Sequence, residues 1–275
     1  MLATYHNHTT WSDGKSTLRE HIDFAARHGI AELGISDHYV LHPSGDEPRW
    51  AMKRGQLPQY VQEILAARQG AAERGVALRL GLEVDYFPGQ AEAMIAAFDP
   101  WSFDYLIGSV HEIEGFVIDG SPAAWERIDT AQINEVHRRY WVNIRGLATS
   151  GLVDVIAHID LPKKFGYYPT RPPAEEIDAA LDAIAESGLV VELNTAGWHK
   201  PCADAYPTPD ILAACRARGI ETTLSADAHH SEHLVRDFDR GAERLVEAGY
   251  NRVARFRERS RRFDSIDAAI APAAR

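Results

Sequence analysis

Seven short apolar runs, separated by longer stretches of helical periodicity, constrain this chain more than any other feature. The runs cover residues 2–8, 32–38, 77–86, 105–111, 153–160, 189–194 and 221–229. Between them the spacing predicts helices over 17–28, 59–74, 174–187, 209–218 and 232–248, with 123–149 long enough for two. The boundaries carry their own signals. Thr17 and Glu20 have capping-box spacing, Gly29, Gly75, Gly188, Gly219 and Gly249 follow the helical patterns, and Pro209 opens one of them. Strand, helix, strand, repeated, predicts a single-domain α/β fold over 1–275 with a parallel sheet. No Gly-x-Gly-x-x-Gly follows the first run, which points away from a dinucleotide-binding sheet and toward a closed or nearly closed barrel.

In such barrels the active site is built where the strands end. Six of the seven runs carry His, Asp or Glu at or beside their ends. The first carries His6 and His8, which share one side of a strand because side chains at i and i+2 do, with Asp13 a turn later. The second ends Asp37-His38, the third Glu83-Val84-Asp85, the fourth at His111, the fifth His158-Ile159-Asp160 and the seventh Asp227-Ala228-His229. The sixth ends in Asn194 and is assigned no ligand.

Each residue alone could be a buried, hydrogen-bonded polar group. Together, uncompensated by cations, they are costly to bury. The set therefore reads as a metal-binding bowl of His6, His8, Asp13, His38, Glu83, His111, His158, Asp227 and His229. Imidazole mixed with carboxylate suits zinc, iron or manganese. Nine candidates exceed the needs of one ion and fit two or three divalent transition-metal ions, with a carboxylate such as Glu83 bridging. Asp37, Asp85 and Asp160 are either ligands or groups that orient ligands. His21, His28 and His137 fall on helical patterns and are expected at the surface. His230 and His233 are expected to cap or to stand behind the ligands, and His42 and His199 lie in strand-end loops, where they can face a substrate.

Composition narrows the function classes. At 45% hydrophobic and 25% charged the chain is ordinary globular material. A net charge of -11 argues against a broad nucleic-acid groove. No run approaches the ~18 apolar residues of a membrane span. The cysteines Cys202 and Cys215 make no disulfide framework, and only five residues precede His6, so a cytoplasmic protein without a leader is expected. The loop 41–58, rich in Pro and Gly, reads equally as a lid or as a surface excursion. The arginines of 251–262 read as a solvated face that balances an acidic body.

The strand-end motifs resemble the polymerase and histidinol phosphatase (PHP) phosphoesterases, and among them the histidinol-phosphatase branch. The resemblance covers nearly the whole chain. It rests on His6-Asn7-His8-Thr9, Ser36-Asp37-His38, Gly81-Leu82-Glu83-Val84-Asp85-Tyr86, Gly108-Ser109-Val110-His111, Ala157-His158-Ile159-Asp160-Leu161 with Lys163-Lys164-Phe165-Gly166, Glu192-Leu193-Asn194-Thr195-Ala196-Gly197 and Ser225-Ala226-Asp227-Ala228-His229. It implies a distorted (β/α)7 TIM-like barrel with a trinuclear metal centre at the C-terminal ends of the strands. One ion would take His6, His8, Glu83 and Asp227. The second would share Glu83 and add His111 and His158, and the third would take Asp13, His38 and His229. Asp13 departs from many members of the branch, which place a histidine near here. His199 stands where the branch often has an arginine that helps to hold phosphate.

The implied reaction is metal-assisted hydrolysis of a small phosphate ester, L-histidinol phosphate, in histidine synthesis. The catalytic set is Glu83, Asp227 and His229, with Asp227 or a nearby histidine passing a proton to the leaving alkoxide. Lys163, Lys164, His199, Lys200 and His42 are the expected substrate contacts, and Glu47, Glu114 and Asp119 are candidates for the amino and imidazole ends. Two other readings stand beside this one: a PHP phosphoesterase acting on an oligonucleotide, phosphotyrosine or another monoester, and a non-catalytic metal-binding module. An amidohydrolase with a carbamylated lysine is disfavoured, because no lysine stands at a strand end.

Overall fold

The computed structural model describes residues 1–271. Its strands are β1 (Ala3–Thr4), β2 (Glu32–Ile35), β3 (His38–Tyr39), β4 (Ala77–Leu80), β5 (Glu83–Asp85), β6 (Ile107–Ser109), β7 (Glu112–Ile113), β8 (Phe116–Val117), β9 (Val155–Ile156), β10 (Val190–Asn194), β11 (Glu221–Ser225), β12 (Arg252–Arg257) and β13 (Ser260–Ser265). The helices are α1 (Leu18–His28), α2 (Leu57–Ala72), α3 (Ala91–Phe98), α4 (Pro122–Trp125), α5 (Thr130–Thr149), α6 (Ala174–Glu186), α7 (Pro209–Ala217), α8 (Phe238–Glu247) and α9 (Ile266–Ile270). Strands β1, β2 and β4 form one parallel sheet, and β11, β10, β9, β6, β5 and β3 lie in that order in a second. The α/β class and the parallel pairing follow the alternation in the sequence.

Near the site the runs do not stay in one ladder. Run 32–38 appears as β2 and β3, run 77–86 as β4 and β5, and run 2–8 keeps its ladder only at β1. Side-chain bonds stand where ladder bonds lapse. Asp37 accepts from the N–H and hydroxyl of Thr9, both at 2.8 Å, and the Tyr60 hydroxyl donates to the Gly81 carbonyl at 2.7 Å. Beyond β1, pairing resumes as a parallel bridge between Asn7 and Ala228. There the His8 N–H donates to the Ala228 carbonyl at 2.8 Å, and the Ala228 N–H to that of His6 at 3.1 Å. The first run is thereby set beside the last.

The helices form where their caps and faces dictate. Thr17 and Glu20 close a capping box on α1, which ends at Gly29 with φ 70. Asp129 and Gln132 cap α5, whose Val136, Tyr140, Ile144 and Leu147 are buried. The expected helix 232–248 begins only at Phe238, after a 3-10 turn over Ser231–His233.

Three expectations fail. His21 and His137 are buried rather than exposed, because each ring finds a backbone acceptor: Nε2 of His21 lies 2.9 Å from the His8 carbonyl, and Nε2 of His137 lies 2.9 Å from that of Tyr167. The arginines of 251–262 form the expected exposed face except Arg255, which is buried against Glu32 and Asp264 where the segment forms most of the antiparallel hairpin β12–β13. Phe256 packs edge-on to Tyr5 at 5.4 Å, so this hairpin covers residues that begin the strands, on the side away from their polar ends. Loop 41–58 divides between its two readings. Its tip is exposed, but Trp50 returns to lie 4.8 Å from the His38 ring. Among the described residues no helix is long and apolar enough to cross a membrane.

Candidate metal centre

The polar strand ends converge. Glu83, at the start of β5, stands at the centre. Its Oε2 lies 2.9 Å from His38 Nδ1, 3.1 Å from His6 Nε2 and 3.5 Å from His8 Nε2. Its Oε1 lies 3.0 Å from His158 Nε2 and 3.7 Å from His111 Nε2. Asp227 Oδ1 closes the other side, 3.2 Å from His8 Nε2, 3.7 Å from His6 Nε2 and 3.6 Å from His229 Nδ1. Asp13 Oδ2 is 3.2 Å from His229 Nε2. The backbone is shaped to allow this. Asp227 adopts a left-handed conformation at φ 49, a region that Asp tolerates better than most residues. Gly14 passes so close to the His8 carbonyl that a Cβ there would collide with it, which keeps Asp13 over the site.

Within the cluster His6 Nε2, both ring nitrogens of His8, Asp13 Oδ1, His38 Nδ1, Glu83 Oε2 and His158 Nδ1 are buried without a hydrogen-bond partner. Leaving a buried polar atom unsatisfied costs roughly 1–3 kcal/mol each, and native structures rarely gather such atoms. Several of these atoms face one another at ion-pair distance without hydrogen-bond alignment, as electron-pair donors around a common centre do. The donor set therefore fits divalent cations. Four groups bring their donor atoms within 4.8 Å of one another: His8, Asp13, His38 and His229; His6, His8 and Glu83; His6, His158 and Asp227; and His38, Glu83 and His111. The grouping differs from the implied partition in three places. His8 joins Asp13, His38 and His229, His158 joins His6 and Asp227, and His111 joins His38.

The electrostatics favour the ligating forms at Glu83, Asp227 and His8. Burial pushes the Glu83 and Asp227 carboxyls up, but the surrounding imidazoles, His38 and His6 for Glu83 and His6 and His8 for Asp227, hold both well below their ordinary range. Burial, then the charges on His38 and His229, push His8 down to about 3. Ionised carboxylate and neutral imidazole are the forms that ligate. Four other histidines are shifted the opposite way. Burial pushes each down, but neighbouring carboxylates overcome it: Glu192 raises His6, Glu83 raises His38, Asp85 and Asp119 raise His111 to about 10, and Asp13 raises His229 to about 9, so a cation at these rings must displace a proton.

A second layer orients the first. Asp85 Oδ1 meets His111 Nδ1 at 2.7 Å and accepts from the Ser109 hydroxyl at 3.0 Å. Asp37 holds the Thr9–Ser12 turn that precedes Asp13. Asp160 accepts from Lys163 at 3.2 Å and from the Thr208 N–H at 2.8 Å. The sixth run, assigned no ligand, supplies Glu192. This residue is fully buried, with Oε1 2.7 Å from His6 Nδ1 and Oε2 accepting from the His158 N–H and the Asn194 amide, both at 2.9 Å. The available signal was an acid inside an otherwise apolar strand.

A cavity of about 590 Å³ opens over the cluster, with Trp50, Val117, Asp119, Lys164, His199, Lys200, His233 and Arg236 among the residues of its wall. The expected substrate contacts divide. Lys164 and Lys200 reach it, although Lys164 Nζ is held 3.1 Å from Asp119 Oδ2. His199 reaches it too, with Nε2 2.6 Å from Asp237 Oδ2. Lys163 is buried outside the wall, donating to the Ala205 carbonyl at 2.6 Å. His42 lines a separate cavity, 3.2 Å from Glu112. Of the three acids considered for substrate recognition, Asp119 lines the cavity, while Glu47 and Glu114 pair with Arg54 and Arg139 away from it. Trp50 and Arg236 had no place in the sequence reading. Neither carries a local motif, and the fold alone brings them to the wall.

The sequence matches the family described as PHP domain over residues 4–196. It is 37% identical over 259 residues to a probable histidinol-phosphatase of Deinococcus radiodurans, an alignment spanning 94% of this chain and 97% of that protein. It is 26% identical over 251 residues to a histidinol-phosphatase of Bacillus subtilis, spanning 82% and 92%. The crystal structure of histidinol phosphate phosphatase from Lactococcus lactis, complexed with zinc, L-histidinol and phosphate, shares the fold. Its TM-score is 0.79 at 21% identity, over 95% of this chain and 98% of that one.

Proposed function

The chain belongs to the PHP domain family, and from that premise we propose that it is a metal-dependent phosphomonoesterase hydrolysing L-histidinol phosphate to L-histidinol and phosphate, a step of histidine synthesis. The observation that carries the reading is the set of nine side chains, from six strand ends, gathered under one cavity in a chain that aligns almost end to end with histidinol-phosphatases. The fold reading is a single domain over 1–275, a distorted (β/α)7 TIM-like barrel. In support, β2 with β3 and β4 with β5 continue one another, and the Asn7–Ala228 bridge joins the first run to the last. The unpaired thiols of Cys202 and Cys215 suit the reducing cytoplasm that we take as its compartment.

His6, His8, Asp13, His38, Glu83, His111, His158, Asp227 and His229 would hold two or three ions, zinc, iron or manganese, with Glu83 shared. When bound, such ions supply Lewis acidity, activating water near neutral pH and offsetting charge on phosphate oxygens. The protein does the rest. Glu192 and Asp85, in its buried second layer, keep the His6 and His111 imidazoles in one tautomer and orientation. The cavity wall holds the ester, with Lys200 toward the phosphate and Asp119, held by Lys164, toward the amino or imidazole end. Asp227, or His229 beside it, passes a proton to the leaving alkoxide oxygen as the P–O bond breaks.

A paired assay tests this reading. Metal content is measured, and turnover of L-histidinol phosphate is compared with that of p-nitrophenyl phosphate and of a short oligonucleotide. We expect kcat/KM for histidinol phosphate to exceed the others by roughly 100-fold or more. Equal turnover of the two monoesters would leave the class and remove the substrate. A His6→Ala/His8→Ala variant that kept its metal and its activity would remove the site.

A further inference from the structure

Resting on the phosphomonoesterase reading, we propose that Arg236 is the guanidinium that grips the phosphate of the substrate. The cations first considered for this task are mostly committed elsewhere. Lys163 is buried against Ala205, Asp160 and Asp204, Lys164 is tied to Asp119, and His199 is tied to Asp237. Arg236 is the only arginine among the wall residues of the cavity over the cluster.

Its Nε is buried and has no hydrogen-bond acceptor. Arg54, Arg68 and Arg255 share an Nε without an acceptor, but their Nη atoms are bonded to the Gly45 carbonyl, Asp104 and Glu32 respectively. The Arg236 side chain has no carboxylate or carbonyl partner among the described residues. A structural arginine is held by such a partner, whereas one kept for a ligand is not.

The backbone of Arg236, by contrast, is fixed from both sides. Its N–H donates to the His233 carbonyl at 3.0 Å, and its own carbonyl accepts from the buried Thr195 hydroxyl at 2.7 Å. Thr195 directly follows β10, so the anchor of Arg236 is tied to the strand that carries Glu192. A planar guanidinium on a fixed backbone, free of an internal partner and facing a cavity, suits bidentate contact with two phosphate oxygens. The acidic wall residues Asp13, Glu83, Asp119 and Asp227 repel a phosphate dianion, which makes an unpaired cation there more valuable.

The test uses metal-loaded enzyme and Arg236→Met, which keeps the apolar stem, beside Arg236→Lys. Inorganic phosphate binding is read by calorimetry. Competitive inhibition by inorganic phosphate and by L-histidinol is read with p-nitrophenyl phosphate as substrate, and metal content and unfolding temperature are read on the same samples. Arg236→Met should weaken phosphate about 10- to 100-fold, raise KM for phosphomonoesters by a similar factor, and leave L-histidinol inhibition within about twofold. Arg236→Lys should recover part of the loss. Phosphate affinity unchanged in both variants at full metal content would overturn the assignment, as would equal weakening of phosphate and L-histidinol. If Arg236→Met fails to fold, Arg236→Lys decides, since loss of the fork alone should weaken phosphate selectively. The phosphate measurements stand even if histidinol phosphate is not the preferred substrate, so failure of the substrate reading and failure of Arg236 give different results.

Discussion

The carboxylate of Glu192 meets the inner ring nitrogen of His6 at 2.7 Å, with both side chains wholly inaccessible to solvent. Glu192 accepts from His6 Nδ1 and so leaves Nε2 as the free donor atom that faces Glu83 and Asp227. Glu192→Gln should keep the shape and lose the charge. We expect metal affinity to fall roughly 10- to 100-fold and activity to return at excess metal. Metal content against free metal concentration checks this. A variant with wild-type affinity would mean that Glu192 only packs.

Asp119 lines the cavity opposite this layer and is held by Lys164. Burial pushes its carboxyl up, but the charges of His111 and Lys164 bring it below its ordinary value, so it is anionic at neutral pH. Asp119→Asn should raise KM for L-histidinol phosphate about 10-fold or more, as loss of a charge-assisted bond does. KM for p-nitrophenyl phosphate, which has no cationic end, should stay within about twofold. Steady-state kinetics on both esters decide, and an equal rise for both would place Asp119 elsewhere in the mechanism.

Removing the ions should loosen the protein itself. The buried donors of His6, His8, His38, Glu83 and His158 have no hydrogen-bond partner among the described residues, so they would then lose the cations that offset their burial. Cations bound at ~1,000 times their Kd add about 4 kcal/mol of stability. For a chain of this size that corresponds to a fall of roughly 8–16 °C in Tm on chelation. Scanning calorimetry before and after chelation, and after refilling, measures it. An unchanged Tm with the metal gone would show that the cluster is satisfied without cations.

What was legible in the sequence followed from local rules. Strand ends carry their polar residues in fixed phase, so His6 and His8 could be read as a pair from spacing alone, whereas the left-handed backbone of Asp227, at φ 49, could not. Caps such as Thr17 with Glu20 announced their helix. What was missed depends on distant partners. Nothing near Glu192 in sequence reveals that His6, 186 positions away, needs an acceptor. His21 looks like a surface residue until the His8 carbonyl is placed against it. Arg255 belongs to a run of exposed arginines, and only the arrival of Glu32 from the far end of the chain makes it a core residue.

Tyr105 shows how tightly the interior is fitted around its glycines. A Cβ on Gly34 would collide with the Tyr105 hydroxyl, and one on Gly81 with the same ring. Gly34→Ala should destabilise by roughly 1–3 kcal/mol through overpacking. The same change made with Tyr105→Leu should cost markedly less, because the two residues share one space. Denaturant unfolding of the four proteins of the cycle gives the coupling. Strict additivity would mean that the backbone, and not Tyr105, resists the methyl group.

Glu32 should govern acid stability at the end of the fold away from the site. Glu32 is buried and accepts from Arg79 at 2.9 Å, from Arg262 at 2.7 Å, from the Tyr5 hydroxyl at 2.6 Å and from Arg255. Burial pushes its carboxyl up, but the hydrogen bonds from Arg79 and Tyr5 and the charge of Arg255 outweigh this and hold it below its ordinary value. The unfolded chain has a Glu pKa of about 4.3, so below that pH the unfolded state takes up a proton that the native state resists. The stability from Glu32 is therefore complete above about pH 4.3 and is lost as pH falls through its lower folded pKa. Glu32→Gln removes one partner of a buried ion network and should cost about 3–5 kcal/mol near neutral pH. As pH falls from 6 toward 3, the wild type should lose Tm faster than the variant, and the gap between them should narrow. Parallel thermal scans across that range measure the gap. A constant gap would show that Glu32 stabilises by shape rather than by charge, and a widening one would reverse the sign of its linkage.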